Sequence, residues 1–250
     1  MTDLSLIVTV HSETYVCGPT MRSADIAVDE ARAAGHTVQT VIALDRATPE
    51  TAAYFSEPHF DHWERWEMDA GDLGLVRNAS VPRADGRYIA FLDADDLFSA
   101  NWLAKGVAAL DEAVDRGERL IVHPELNVFF DGMRSVLVNC DQRSPLFAPE
   151  ALYVRNYYDS LLMAPREAHL EHPYVTRDLD AGLAFQDWQF TAETLGSGWR
   201  HATLRDTIIF KRRRDSSLLT EAVGRKALLR ALPELAADRV RGLGQEVRRA

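Results

Sequence analysis

Two cysteines in 250 residues, Cys17 and Cys140, exclude a disulfide framework and a cysteine-rich metal site. A reducing, cytoplasmic compartment is therefore expected. No window approaches the ~18 uninterrupted apolar residues of a membrane span. The opening MTDLSLIVTV has no basic segment ahead of its short, strand-like apolar run, so no signal peptide is expected either. Basic residues are outnumbered, 28 Lys+Arg against 38 Asp+Glu, for a formal net charge of −10. The deficit lies in residues 1–199, where 15 basic face 32 acidic side chains; residues 200–250 reverse it with 13 against 6. An acidic body argues against general nucleic-acid binding, which needs a broad basic footprint. There is no G-x-x-x-x-G-K-[ST] loop, no dinucleotide fingerprint, no H-E-x-x-H pair and no internal repeat.

What is present is ordinary globular chemistry, 46% apolar and 26% charged, with strands and helices alternating over the first ~125 residues. Strands are expected at Leu4–Val10, Thr37–Leu44, Trp63–Met68, Arg87–Leu92 and Leu120–His123. Helices are expected at Thr20–Ala34, from Pro49, at Leu73–Ala84 and at Asn101–Arg116. The alternation implies an α/β fold with a mostly parallel, doubly wound sheet. Beyond it, Leu126–Phe130 and Arg134–Val138 flank Asp131-Gly132 and read as a hairpin. A helix follows near Gln186–Leu195 and a strand at Thr207–Lys211. From Glu221 a basic amphipathic helical tail is expected, interrupted by Pro233. The division expected is 1–220 as the main domain, split near 125, and 221–250 as the tail.

The sharpest chemical feature is Asp93-Ala94-Asp95-Asp96, three carboxylates directly after the apolar RYIAFL strand. Such a cluster needs a counter-charge, and hard oxygen donors suit Mg²⁺ or Mn²⁺ shared with substrate phosphates. A plain helix cap is the alternative. Ligands of open parallel sheets bind beyond the carboxyl ends of strands. Two further strand ends carry polar groups there, His11 with Glu13, and Asp45.

The stretch Gly74-Leu75-Val76-Arg77-Asn78-Ala79, then Ala84-Asp85-Gly86, RYIAFL and Asp93-Ala94-Asp95-Asp96 resembles the family 2 glycosyltransferases. LSLIVTVHSE resembles that family's first nucleotide-binding strand, TVQTVIALDR its second, and Gln186-Asp187-Trp188 its Glu-Asp-Trp motif, a likeness running over about residues 4–215. The resemblance implies a GT-A, Rossmann-like fold with an acceptor-side second half, and inverting, metal-assisted transfer from a nucleotide-diphosphate sugar, a UDP-sugar being favoured. By the same resemblance Val8, Thr9, Val10, His11 and Glu13 line the nucleotide pocket and Asp45 meets the base. Arg77, Asn78, Asp93 and Ala94 lie along the nucleotide, while Asp95, with Asp93, holds the metal. Asp187 is the base, and Gln186 and Trp188 face the acceptor.

Several positions depart from the pattern. His11 replaces Tyr or Asn, Asp45 is followed by Arg46-Ala47-Thr48, and Gln186 stands where Glu is usual. In place of a late His-x-x-Ser-like segment the chain has Lys211-Arg212-Arg213-Arg214-Asp215-Ser216-Ser217. There Arg212, Arg213 and Arg214 are candidates for gripping the diphosphate. Nucleotide sugar and a carbohydrate or lipid-linked acceptor are the implied partners, with the basic tail a candidate for contact with a membrane surface. A sugar-phosphate nucleotidylyltransferase is disfavoured because His11–Gly18 is not a Gly-rich phosphate loop; a non-catalytic module on the same fold is the other alternative. His59/His62 and His169/His172 are expected to be surface or packing residues, and Trp63, Trp66, Trp102 and Trp199 mostly core.

Overall fold

In the computed structural model, which describes residues 1–214 and 217–247, the central strand β1 (Thr2–Val10) is buried from Leu4 onward. It pairs in parallel with β2 (Val38–Asp45) and β4 (Gly86–Asp93), and β2 pairs in parallel with β3 (Glu64–Met68). A strand covered on both faces must be apolar at successive positions, as SLIVTV is. Leu4, Leu6, Val8 and Val10 point toward α1 (Cys17–Ala33) and α4 (Trp102–Asp115), while Ile7 packs with Val76 of α3 (Leu73–Ser80) on the other face. Gly86 is dictated by closeness, since a Cβ there would lie 2.3 Å from the Ser5 amide nitrogen. Helix α2 (Pro49–Phe55) starts at Pro49 as expected, and the Thr48 side chain caps it by accepting from the Thr51 amide.

The remaining strands are β5 (Leu97–Phe98), β6 (Leu120–Asp131), β7 (Ser135–Val138), β8 (Met163–Pro165) and β9 (Arg200–Arg213). The sheet runs β3-β2-β1-β4-β8-β6-β9-β5, with β7 hairpinned onto β6. The first half is all parallel, as expected. In the second, β8 joins β4 and β6 antiparallel and β5 joins β9 antiparallel, which turns the sheet from one half into the other. The two segments expected as separate pieces at 120–130 are one strand carrying an irregularity between Pro124 and Leu126. The Asp131-Gly132 turn holds Asp131 at φ 72°, a conformation Asp tolerates.

Helices α5 (Arg166–Glu171) and α6 (Gln186–Gly196) cover the second half. The tail helix, expected to be interrupted only at Pro233, is broken more widely: the chain forms α7 (Leu218–Gly224), an irregular stretch that includes Pro233, and α8 (Ala237–Val247). Lys226 at φ 54° and Pro233 break the helix. Val240 is fully buried, and Leu235 and Leu243 pack against the cluster of Phe147, Leu152, Tyr157, Tyr158 and Leu195. The tail thus lies on the body; Arg248 and Arg249 fall outside the described residues. No helix among the described residues is long and apolar enough to cross a membrane.

Trp102 and Trp199 are core residues, as are Trp63 and Trp66. His169 is also buried, packed among Phe91, Tyr174 and Phe190, and neither ring nitrogen has a hydrogen-bond partner. Burial, then the Arg77 charge, pushes its pKa from 6.5 to about 3. The unfolded chain therefore takes up a proton that the fold refuses, and this histidine costs stability progressively as pH falls below 6.5 toward 3. His169→Phe is expected to raise stability by about 1–2 kcal/mol at neutral pH, by removing an unpaired polar group. The gain should widen at pH 5. Thermal melts of both proteins at the two pH values test this, and an equal gain at both would contradict it.

Candidate active site

The carboxyl ends of β1, β2 and β4 open into a cavity of about 890 Å³, closed on the other side by the end of β9, the start of α6 and α7. Parallel strands that diverge at this edge leave such a crevice, and here it carries the polar strand ends.

The acidic turn is built first. The Ala94 amide donates to the Thr9 carbonyl at 3.1 Å and the Asp96 amide to the Asp93 carbonyl at 2.9 Å, fixing the turn against β1. Asp93 Oδ1 accepts from Thr9 Oγ1 at 3.0 Å and from Arg77 Nη2 at 2.7 Å. The Arg77 guanidinium is almost wholly buried between the rings of Phe91 and Tyr174, 5.5 Å from each centroid. Burial opposes ionisation of both partners, yet Arg77 and Lys211 together hold Asp93 below the usual carboxylate range. Asp95 behaves oppositely. Burial and the neighbouring Asp93 raise its pKa, while Arg214, 2.7 Å away, lowers it. Asp96 points inward, accepting from the Arg212 amide at 2.6 Å and lying 3.5 Å from Lys211 Nζ; burial pushes its carboxyl up.

On the wall formed by α6, Asp187 occupies the helix's first turn, entered through Phe185 in the left-handed region at φ 68°. A bulky residue at positive φ is strained, and such strain persists where surrounding packing fixes the chain. Asp187 Oδ1 accepts only from the adjacent Trp188 amide, at 3.0 Å, among the described hydrogen bonds. Burial, then the charge of Asp159, raises its pKa against the pull of Lys211 and Arg77. Gln186 donates to Asp72 Oδ1 at 2.8 Å and to the Val175 carbonyl. A glutamate there would face Asp72 without a proton to give, which accounts for the amide at this position. A Cβ on Gly74 would meet Gln186 Nε2 at 2.6 Å, so the glycine lets α3 approach this network.

Most residues expected at the site line this one cavity: Thr9, Val10, His11, Glu13, Asp45, Arg77, Asp93, Ala94, Asp95, Gln186, Asp187 and Arg212 to Arg214. Some take roles other than those expected. Asn78 is not in the wall; it clamps Tyr174, donating to its carbonyl at 2.7 Å and accepting from its amide at 2.8 Å. Trp188 is also outside the wall, its indole donating to the Leu152 carbonyl at 3.0 Å. Asp45 accepts from the amides of Ala70 and Gly71, at 2.7 and 2.9 Å, so its carboxylate braces the loop after β3. Of the three arginines only Arg214 turns its charge to the acidic turn. Arg212 pairs with Asp131 at 2.7 Å, and Arg213 lies over Phe129 at 4.7 Å. Asp215 and Ser216 lie outside the described residues. Among the described residues no group of three or more ligand-type side chains forms a ready-made metal site.

Several charged residues in the wall escaped the sequence reading, Lys211 and Glu221 as site residues and Asp72, Asp159 and Arg177 entirely. The lysine had a signal, standing at the end of the apolar strand IIFK where an ammonium must find partners. Asp159, in the irregular NYYDSLL, had none.

Comparison with known proteins fits this geometry. The architecture is the GT-A glycosyltransferase fold. It is shared with S. aureus TarS 1-349 in complex with UDP-GlcNAc, at a TM-score of 0.61 and 16% identity over 86% of this chain and 60% of that one. GalNAc-T7 with UDP, GalNAc and Mn²⁺ gives a TM-score of 0.57 and 14% identity, covering 86% of this chain and 44% of that one. The chain thus spans well under two thirds of the length of these structures. No curated protein sequence matches it. The sequence model described as Glycosyl transferase family 2 matches residues 41–118, from β2 through the acidic turn to α4.

Proposed function

We propose that this protein moves a sugar from a nucleotide diphosphate to an acceptor hydroxyl with inversion, Asp187 acting as general base. The carrying observation is that Asp93, Asp95 and Asp187, distant in sequence, meet on the wall of one cavity. Residues 1–220 serve as the transferase unit, with 221–247 packed on it; a UDP-sugar is the preferred donor and a carbohydrate or glycolipid the acceptor class.

The chemistry follows from the residues. Inverting transfer builds positive charge at the anomeric carbon and negative charge on the departing diphosphate, as in glycoside cleavage. A single carboxylate on the far face removes the acceptor proton, and no nucleophilic partner is required. Asp187 suits that task because burial and Asp159 raise its proton affinity. The donor side offers hard oxygens from Asp95 and the second oxygen of Asp93. Such a set fits Mg²⁺ or Mn²⁺ held by one or two carboxylates, the remaining positions going to water and phosphate. When bound, the ion would neutralise charge on the leaving diphosphate. Arg214, already 2.7 Å from Asp95, is placed to reach the same oxygens.

Calorimetric titration of UDP in the presence of Mn²⁺ tests the reading. Binding is expected to weaken at least about tenfold in Asp95→Ala, which corresponds to about 1.4 kcal/mol. Binding that ignores both Mn²⁺ and the substitution would remove the metal from the scheme. A thermal-shift screen of nucleotide sugars then picks the donor, because a ligand of the folded state raises its midpoint.

A further inference from the structure

Asp159 belongs to the irregular segment ahead of β8, yet it is among the most firmly held side chains in the cavity wall. Its Oδ1 accepts from the Leu161 amide at 2.8 Å and its Oδ2 from Asn127 Nδ2 at 2.8 Å, with Lys211 Nζ 3.4 Å from Oδ2. Lys211 is nearly inaccessible and also faces Asp96 at 3.5 Å, so one ammonium joins the acidic turn to the acceptor side. Asp187 has no comparable set of donors. Asp159 from the segment before β8, Lys211 from β9 and Arg77 from α3 line the same cavity as Asp187, and Tyr174, packed on Arg77, is the other titratable group whose charge acts on it. Of these Asp159 is the like charge.

We infer that Asp159, clamped by Lys211, Asn127 and the Leu161 amide, is a positioning residue that tunes Asp187 as a fixed like charge in the wall of the same cavity. A like charge held beside a carboxylate makes it a better proton acceptor, and the clamp keeps that charge from swinging away. Lys211 opposes the effect, so the two residues set the base between them. The direction agrees with the raised proton affinity of Asp187, in which burial comes first and Asp159 second. The catalytic meaning rests on Asp187 being the base; the pairing does not.

The test reads Asp187 directly and needs no substrate. Protein carrying ¹³C at aspartate carboxyls is titrated by NMR, with the Asp187 resonance assigned by its absence in Asp187→Asn. In Asp159→Asn, which keeps shape and removes charge, the Asp187 midpoint is expected to fall by about one pH unit. In Lys211→Met it should rise. Opposite movements cannot come from a general loosening of the fold, which would shift both variants the same way. An unmoved or raised midpoint in Asp159→Asn overturns the inference, and that variant decides alone should Lys211→Met fail to fold. If the midpoints move as stated while Asp187→Asn retains full transfer activity, the pairing stands and the assignment of the base fails.

Discussion

Asp187→Asn is expected to lower kcat by about 10²–10⁴, the range general-base catalysis supplies, while the affinity for UDP stays within about twofold. The argument is one of separate attachment. Asp187 sits on the first turn of α6 and accepts only from its own neighbour's amide, a bond an asparagine oxygen can also accept. The donor-side contacts belong to other elements: Thr9 and Arg77 hold Asp93, and Arg214 pairs with Asp95. Removing the negative charge of Asp187 should therefore cost proton abstraction and little else. A buried carboxyl already disposed to protonate loses no stability when replaced by a neutral isostere, so the melting midpoint should not fall. Parallel single-turnover assays and UDP titrations check this. A variant that loses binding together with turnover, or neither, would take the base assignment away from Asp187.

How much of this could be read beforehand divides at about residue 125. The main strands and helices of the first half were legible to within a few residues, because a buried parallel sheet writes itself in apolar runs such as SLIVTV and YIAFL, each closed by a polar strand end. The acidic turn was legible for the same reason. Three carboxylates after such a run need a counter-charge. The second half was not, because β8 is only three residues long and its antiparallel pairing with β4 leaves no alternation to detect. Asp159, held by an amide and two side chains distant in sequence, is set wholly by tertiary structure. Asn78 misled in the opposite way. The Arg-Asn pair within α3 looked like two site residues, but one turns to Asp93 and the other to the Tyr174 backbone. Trp188 shows the same limit, since adjacency to Asp187 on a helix sends its side chain to Leu152.

The Arg77–Asp93 pair carries the largest expected effect on stability. Both chains are pinned: the guanidinium between Phe91 and Tyr174, the carboxylate on Thr9. Arg77→Met fills the space with apolar matter but leaves Asp93 near the like charge of Asp95 with its nearest counter-charge gone. Breaking such a pair from one side costs about 3–5 kcal/mol. For a chain of this size that is a fall of about 6–20 °C in the melting midpoint. Lys211 also acts on Asp93 and softens the loss, which favours the lower part of that range. Asp93→Asn on the Arg77→Met background removes the orphaned charge and should restore a good part of the stability without restoring UDP binding, because the carboxylate facing the donor is gone. That recovery separates electrostatics from packing. Two single substitutions whose effects simply add would mean the ion pair does not hold the acidic turn in place, and that Arg77 acts through its contacts with the two rings alone.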